Sequence, residues 1–337
     1  MRITTRMMTT RYSRSLNNLS SGLDNLNNQI ASGRKFSKAS ENTSAAITAF
    51  QLRRDISKIE GYQSNIAHAQ DYMANAESTL MSVNEMMQSS GQDILQGKTG
   101  TVSASDRAII ATKLRSMQDE LLQSLNASTS NGYIFGGTQT ETKPFTIVGG
   151  KLQYKNVDLE NIATAPAGTV EKLKSDSLFL DIGLNLEFNP ASSQTLDSST
   201  AFNLSIPGIN IVGSGTDTID GNVVPNNLYD LLGAIATEFE SPTYSSDKLD
   251  VLYGHFQVRS QDVMMTVSEI GSKTSYLDFM SNRMESETAN MQVRQVAVES
   301  TDTAKTIIDF KSQEMAYNAA LQMGAKIIQP SIFDFIR

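Results

Sequence analysis

Apolar residues near the start of the chain recur at Tyr12, Leu16, Leu19, Leu23, Leu26 and Ile30, separated alternately by four and three positions. That heptad spacing draws one apolar seam along a helix and calls for a partner helix to cover it. Gly33, after Ser32, is a natural stop. A second stripe runs Leu52, Ile56, Ile59, Tyr62, Ile66, Ala69, Met73, Ala76, Leu80, Val83, Met87, again in steps of three or four. If continuous from Asn42 to Gln96, this helix is roughly 80 Å long, and Gly97 to Gly100 end it. Ser103 or Ser105 then caps a third helix with Ile110, Leu114, Met117, Leu121 and Leu125 on one side.

The far end of the chain mirrors the near one. Leu249, Leu252, Phe256, Arg259, Val263, Val267, Ile270, Thr274 and Leu277 form a stripe with two polar interruptions. A last helix, from about Thr301 to Gln329, carries Ile308, Met315, Ala319, Leu321, Ile327 and Ile328 and ends before Pro330. Helices this long exceed the globular average of about 11–12 residues and favour an elongated rod over a compact bundle.

The first seam is flanked by Ser, Asn and Gly, each costing roughly 0.5–1 kcal/mol of helix propensity relative to Ala. Burying its large apolar side chains returns about 1.5–3 kcal/mol each, but only against a partner. The segment is therefore expected to become helical when its partner arrives.

The middle of the chain changes period. Phe145–Val148 and Lys151–Tyr154 flank Gly149-Gly150, a two-residue loop suited to a hairpin. Alternation continues through residues 177–188 and 201–212, and residues 226–240 read as an amphipathic helix. The expected fold is α+β: an elongated α-helical coiled-coil rod formed by both chain ends, with a β-rich insert. The expected divisions are 1–40 and 301–337 (terminal helices ordered on assembly), 41–135 and 246–300 (the two halves of the rod), and 136–245 (the insert).

Charge and composition respect those borders. The net charge of −8 arises wholly between Asn131 and Ser245, which hold thirteen acids and five lysines. Every methionine lies at or before Met117 or at or after Met264, and six of the seven prolines lie between Pro144 and Pro242. An acidic patch without basic clusters argues against nucleic-acid binding. The chain has no cysteine and two histidines, which excludes thiolate or three-histidine metal sites and cysteine nucleophiles. No apolar run reaches the roughly 20 residues that span a bilayer. His68 and His255 are expected in helices without catalytic partners. Val212-Gly-Ser-Gly lacks the lysine of a phosphate loop, and Asp217-Thr-Ile-Asp220-Gly-Asn fails as a calcium loop because Ile219 occupies a ligand position. No catalytic constellation, metal site or cofactor site is legible.

Specific segments then carry a family resemblance. Residues 15–33 (SLNNLSSGLDNLNNQIASG) and 38–46 (KASENTSAA) resemble the N-terminal region of bacterial flagellins and their relatives. Residues 131–140 (NGYIFGGTQT), closing on Lys143-Pro144-Phe145, and the C-terminal KIIQPSIFDFIR resemble the junction-forming branch of that family rather than filament-forming flagellin. The resemblance covers about 1–145 and 246–337; the insert between them carries no recognisable motif.

It implies a non-enzymatic structural protein, exported unfolded through the flagellar type III apparatus to the extracellular flagellum. The terminal helices would pair and pack on neighbouring subunits through Leu16, Leu19, Leu23, Leu26, Ile30, Ile308, Met315, Ala319, Leu321, Ile327 and Ile328, with the insert facing outward. The implied partners are a FlgK-like junction protein on the hook side, flagellin, copies of the chain in a ring, and the export chaperone FlgN. The chaperone would hold the C-terminal stretch through Ile332, Phe333 and Phe335. A filament-forming flagellin is the alternative. The resemblance implies no cofactor, nucleic acid or membrane.

Overall fold

A computed structural model describes residues 5–99, 102–130, 132–187, 196 and 200–327. Three helices open the chain: α1 (Thr5–Ser32), α2 (Thr43–Lys98) and α3 (Ala104–Leu125). Short strands follow: β1 (Ser128–Thr129), β2 (Gly132–Tyr133), β3 (Phe145–Val148), β4 (Lys151–Tyr154) and β5 (Val157–Asp158). Then come α4 (Thr169–Lys174), β6 (Phe179–Leu180), β7 (Phe202–Asn203), α5 (Gly208–Val212), β8 (Thr216–Ile219), β9 (Asn222–Pro225) and α6 (Leu228–Glu240). Two long helices close it: α7 (Ser246–Glu299) and α8 (Thr303–Ile327).

The chain divides into two compact units, one of Met1–Glu60 with Glu285–Arg337 and the other of Gly61–Met284. In the second unit the expected stripe of α2 is the core: Ile66, Ala69, Met73, Ala76, Leu80 and Val83 are fully buried. Leu114, Leu121 and Leu125 of α3 and Val263 and Leu277 of α7 are buried equally. Ser103 caps α3 by accepting the Asp106 amide at 3.2 Å. Helix α6 lies on α3, and the Gln118 amide donates to the Tyr229 carbonyl at 2.6 Å. Burial lowers the pKa of His255 first of all, aided by Arg259, while Asp217 and Asp262 oppose the shift. Its ring lies 2.7 Å from Asn226 Oδ1, tying α7 to the chain just after β9.

The Gly149-Gly150 hairpin forms as expected, with φ of 61° and 81°, and registers Phe145 opposite Tyr154. Those rings lie 5.0 Å apart, and the Tyr154 hydroxyl donates to the Phe135 carbonyl at 3.0 Å.

Two strand expectations fail. Among the described residues of 177–188 and 201–212, only Phe179–Leu180 and Phe202–Asn203 pair. Gly183 and Asn185 adopt positive φ (89° and 66°), which interrupts extended chain, and Pro207 turns the second segment into α5. The hairpin β8–β9 was not foreseen, although Asp220-Gly221 is a two-residue hairpin turn. The middle is the expected strand-bearing insert, small and built of strands of two to four residues.

Candidate functional site

Among the described residues no group of three or more His, Asp or Glu side chains could hold a metal, and no described helix is long and apolar enough to cross a membrane. Attention falls on the first unit, where both chain ends meet.

Helix α1 packs on α8. Leu16, Leu19, Leu23, Leu26 and Ile30 are all half-buried there, so the partner called for by the heptad seam is supplied within the chain. On α8, Thr306, Phe310, Gln313, Tyr317, Ala320 and Gly324 are screened from solvent, spaced four and three in alternation like the α1 seam, with Glu314 half-buried beside them. Few of them are large and apolar, so hydrophobic pattern alone did not reveal this face; the heptad spacing, read with Gly and Ala included, would have.

The α8 residues expected to pack lie elsewhere. Ile308 is 68% exposed, Met315 67% and Leu321 43%, and Ala319 is exposed as well. Ile307 and Met323 are also exposed. Ile327 closes the helix with only its backbone described, while Ile328, Ile332, Phe333 and Phe335 lie outside the described residues. Helix α8 thus shows a mixed polar and small face to α1 and its aliphatic side chains to solvent, a two-sided arrangement characteristic of helices with another surface still to cover. The outward side of α1 carries Asn17, Asn18, Ser21, Asn25 and Asn28 instead.

A groove of about 590 Å³ runs between the helices, lined by Leu19, Gly22, Asn25, Leu26, Asp309, Ser312, Gln313 and Ala316. At the other end of the pair the connections are stitched together. Arg34 and Ser300 form an antiparallel bridge, and the Thr301 amide donates to Gly33 O at 3.0 Å. The Lys35 amide donates to Glu299 O at 2.7 Å, and Lys35 Nζ to Ala297 O at 2.6 Å. Arg53 pairs with the Glu299 carboxylate at 2.7 Å; the glutamate side chain is 10% exposed and the arginine 43%. The Arg53 hydrogen bond, outweighing desolvation, holds Glu299 below the usual carboxylate range.

Comparison with known proteins places this arrangement in a class. Residues 3–140 match the bacterial flagellin N-terminal helical region. Over 343 aligned residues, 99% of each chain, the protein is 24% identical to flagellar hook-associated protein 3 of Escherichia coli (strain K12). It is 31% identical over 146 residues to flagellar hook-associated protein 3 of Salmonella typhimurium, covering 43% of this chain and 46% of that one. In fold it resembles a Vibrio parahaemolyticus protein assigned to the flagellar hook-associated class, with a TM-score of 0.60 at 22% identity, covering 77% of this chain and 99% of that one. The chain thus carries the bacterial flagellin N-terminal helical region over residues 3–140. Along its whole length its likeness is to flagellar hook-associated protein 3.

Proposed function

We propose that the chain is a non-catalytic adaptor subunit whose copies form a ring joining a FlgK-like protein on the hook side to the flagellin filament. The observation that carries this reading is the outward aliphatic face of α8, with Ile308 and Met315 about two-thirds exposed while the opposite face meets α1. Leaving such a face in water forgoes about 25 cal/mol for each Å² of apolar surface, which packing against neighbouring subunits recovers. The terminal helices accordingly complete their ordering on assembly, and the insert faces outward. In this reading the chain reaches the extracellular flagellum by type III export, with FlgN holding its C-terminal stretch beforehand.

The test is electron microscopy of cells lacking the gene. Hooks without filaments, with flagellin shed into the medium, are expected; normal filaments overturn the proposal. Growth of long filaments from the purified chain alone would favour a filament-forming flagellin instead.

A further inference from the structure

The leucine seam of α1 has a weakness: it repeats every seven residues. Sliding α1 by one heptad along α8 places Leu23 where Leu16 was and Leu26 where Leu19 was, so the apolar contacts survive the slip. The main-chain bonds of Gly33 and Lys35 to Thr301 and Glu299 tie the pair at its connection end; along the helices beyond them, something else must hold the register. Two glycines inside the helices supply it. Gly in a helix interior costs about 1 kcal/mol relative to Ala, and at these two positions a side chain of the facing helix occupies the space a Cβ would take.

A Cβ on Gly22 would collide with the Gln313 side-chain amide, whose Cδ would lie 2.9 Å away. The Gln313 amide donates to the Leu19 carbonyl at 3.4 Å, so it is seated as well as accommodated. At the other end, a Cβ on Gly324 would overlap the Tyr12 ring, with Cε1 at 2.8 Å and the hydroxyl closer still. Each helix thus contributes one projecting side chain and one notch. A slip of one heptad sets Ser15 or Gln29 in place of Gly22 beneath Gln313, and in one direction sets Tyr12 against Tyr317 instead of Gly324.

We propose that Tyr12 on Gly324 and Gln313 on Gly22 form a two-point lock that selects one register of the antiparallel terminal helix pair from those its leucine seam permits. The device fixes which part of the outward face of α8 stands beside which part of α1. It rests on helix-pair geometry and is independent of the flagellar role.

The chain has no native cysteine, so spin labels are introduced without background. Labels at Asn28→Cys and Met315→Cys, both exposed, report the axial offset of the helices by electron–electron dipolar spectroscopy of the full-length protein. The otherwise native chain is expected to give one narrow distance. Adding Tyr12→Leu with Gln313→Ala is expected to bring in a second population whose axial offset differs by about 10 Å, one heptad of rise. The slipped-to-native ratio should rise about tenfold or more. An unchanged single distance overturns the proposal. So does a broad distribution without discrete peaks, because those side chains would then hold the helices together rather than choose between registers.

Discussion

Replacing Glu299 with Gln tests how the first unit is tied at its connections. The substitution keeps the shape and removes the charge that Arg53 meets at 2.7 Å. A hydrogen bond to a charged group contributes about 1.5–3 kcal/mol. Arg53 is 43% exposed and stays hydrated when its partner is neutral, which lowers the expected loss to about 1 kcal/mol. The main-chain bonds from Lys35 to Glu299 and from Thr301 to Gly33 persist but lose their anchor, so exchange of those amide protons should quicken several-fold while the core of α2 around Met73 stays protected.

The pH dependence gives a second handle. Glu299 is held below its ordinary value of 4.5, chiefly by Arg53. Its stabilisation is thus fully present above that value and lost as pH falls through the lowered one. Hydrogen exchange and urea unfolding of the native and Glu299→Gln chains between pH 7 and 3 measure both effects. Equal exchange at Lys35 and Thr301 in the two proteins, with parallel pH profiles, would refute the reasoning.

Three further outcomes are expected. Ile308→Asp with Met315→Asp should leave the circular dichroism and melting of the purified chain nearly unchanged yet abolish incorporation, whereas Leu19→Asp with Leu23→Asp should weaken the terminal helix pair itself by about 3 kcal/mol or more; fluorescence imaging of labelled subunits on cells separates the two. Asp176→Asn should cost about 1–3 kcal/mol in urea unfolding of the second unit, because the carboxylate accepts from Thr138 N at 3.0 Å and from Lys155 Nζ at 2.9 Å. Burial raises that carboxyl's pKa, but the Thr138 and Lys155 contacts prevail and hold it below 3.8, so this contribution too disappears only in strong acid. For His255 the imidazole is held below 6.5, chiefly by burial; the unfolded chain takes up its proton first, and stability of the second unit should fall as pH drops below that value until the folded-state ring also titrates. His255→Gln should flatten that segment of the pH–stability curve.

The long helices were legible because periodicity over fifty residues is a strong signal and glycine and serine marked their ends. Residues 42–96 were expected as a helix and Thr43–Lys98 is one. The Gly-Gly hairpin was legible because a two-residue turn fixes register locally. Segment 201–212 misled because alternation of apolar residues is shared by strands and by chain that turns at Pro207, where α5 begins. The inner face of α8 was hidden for a different reason: Thr306, Gln313 and Gly324 are screened by their neighbours, not by their own hydrophobicity. The aliphatic residues that stood out in the sequence are those left facing solvent.

That inversion bears on how readily the terminal pair opens. In the second unit, α2 buries Ile66, Met73, Leu80 and Ile94 at 0% exposure, so opening it uncovers large apolar side chains. The terminal pair instead sets half-buried leucines against a face of Thr, Phe, Gln, Tyr, Ala and Gly in which no large side chain is fully buried, so separating α1 from α8 uncovers less apolar surface for each turn of helix. Local stability follows the apolar area buried, which makes the terminal pair the element that opens at lower free energy than the core of the second unit.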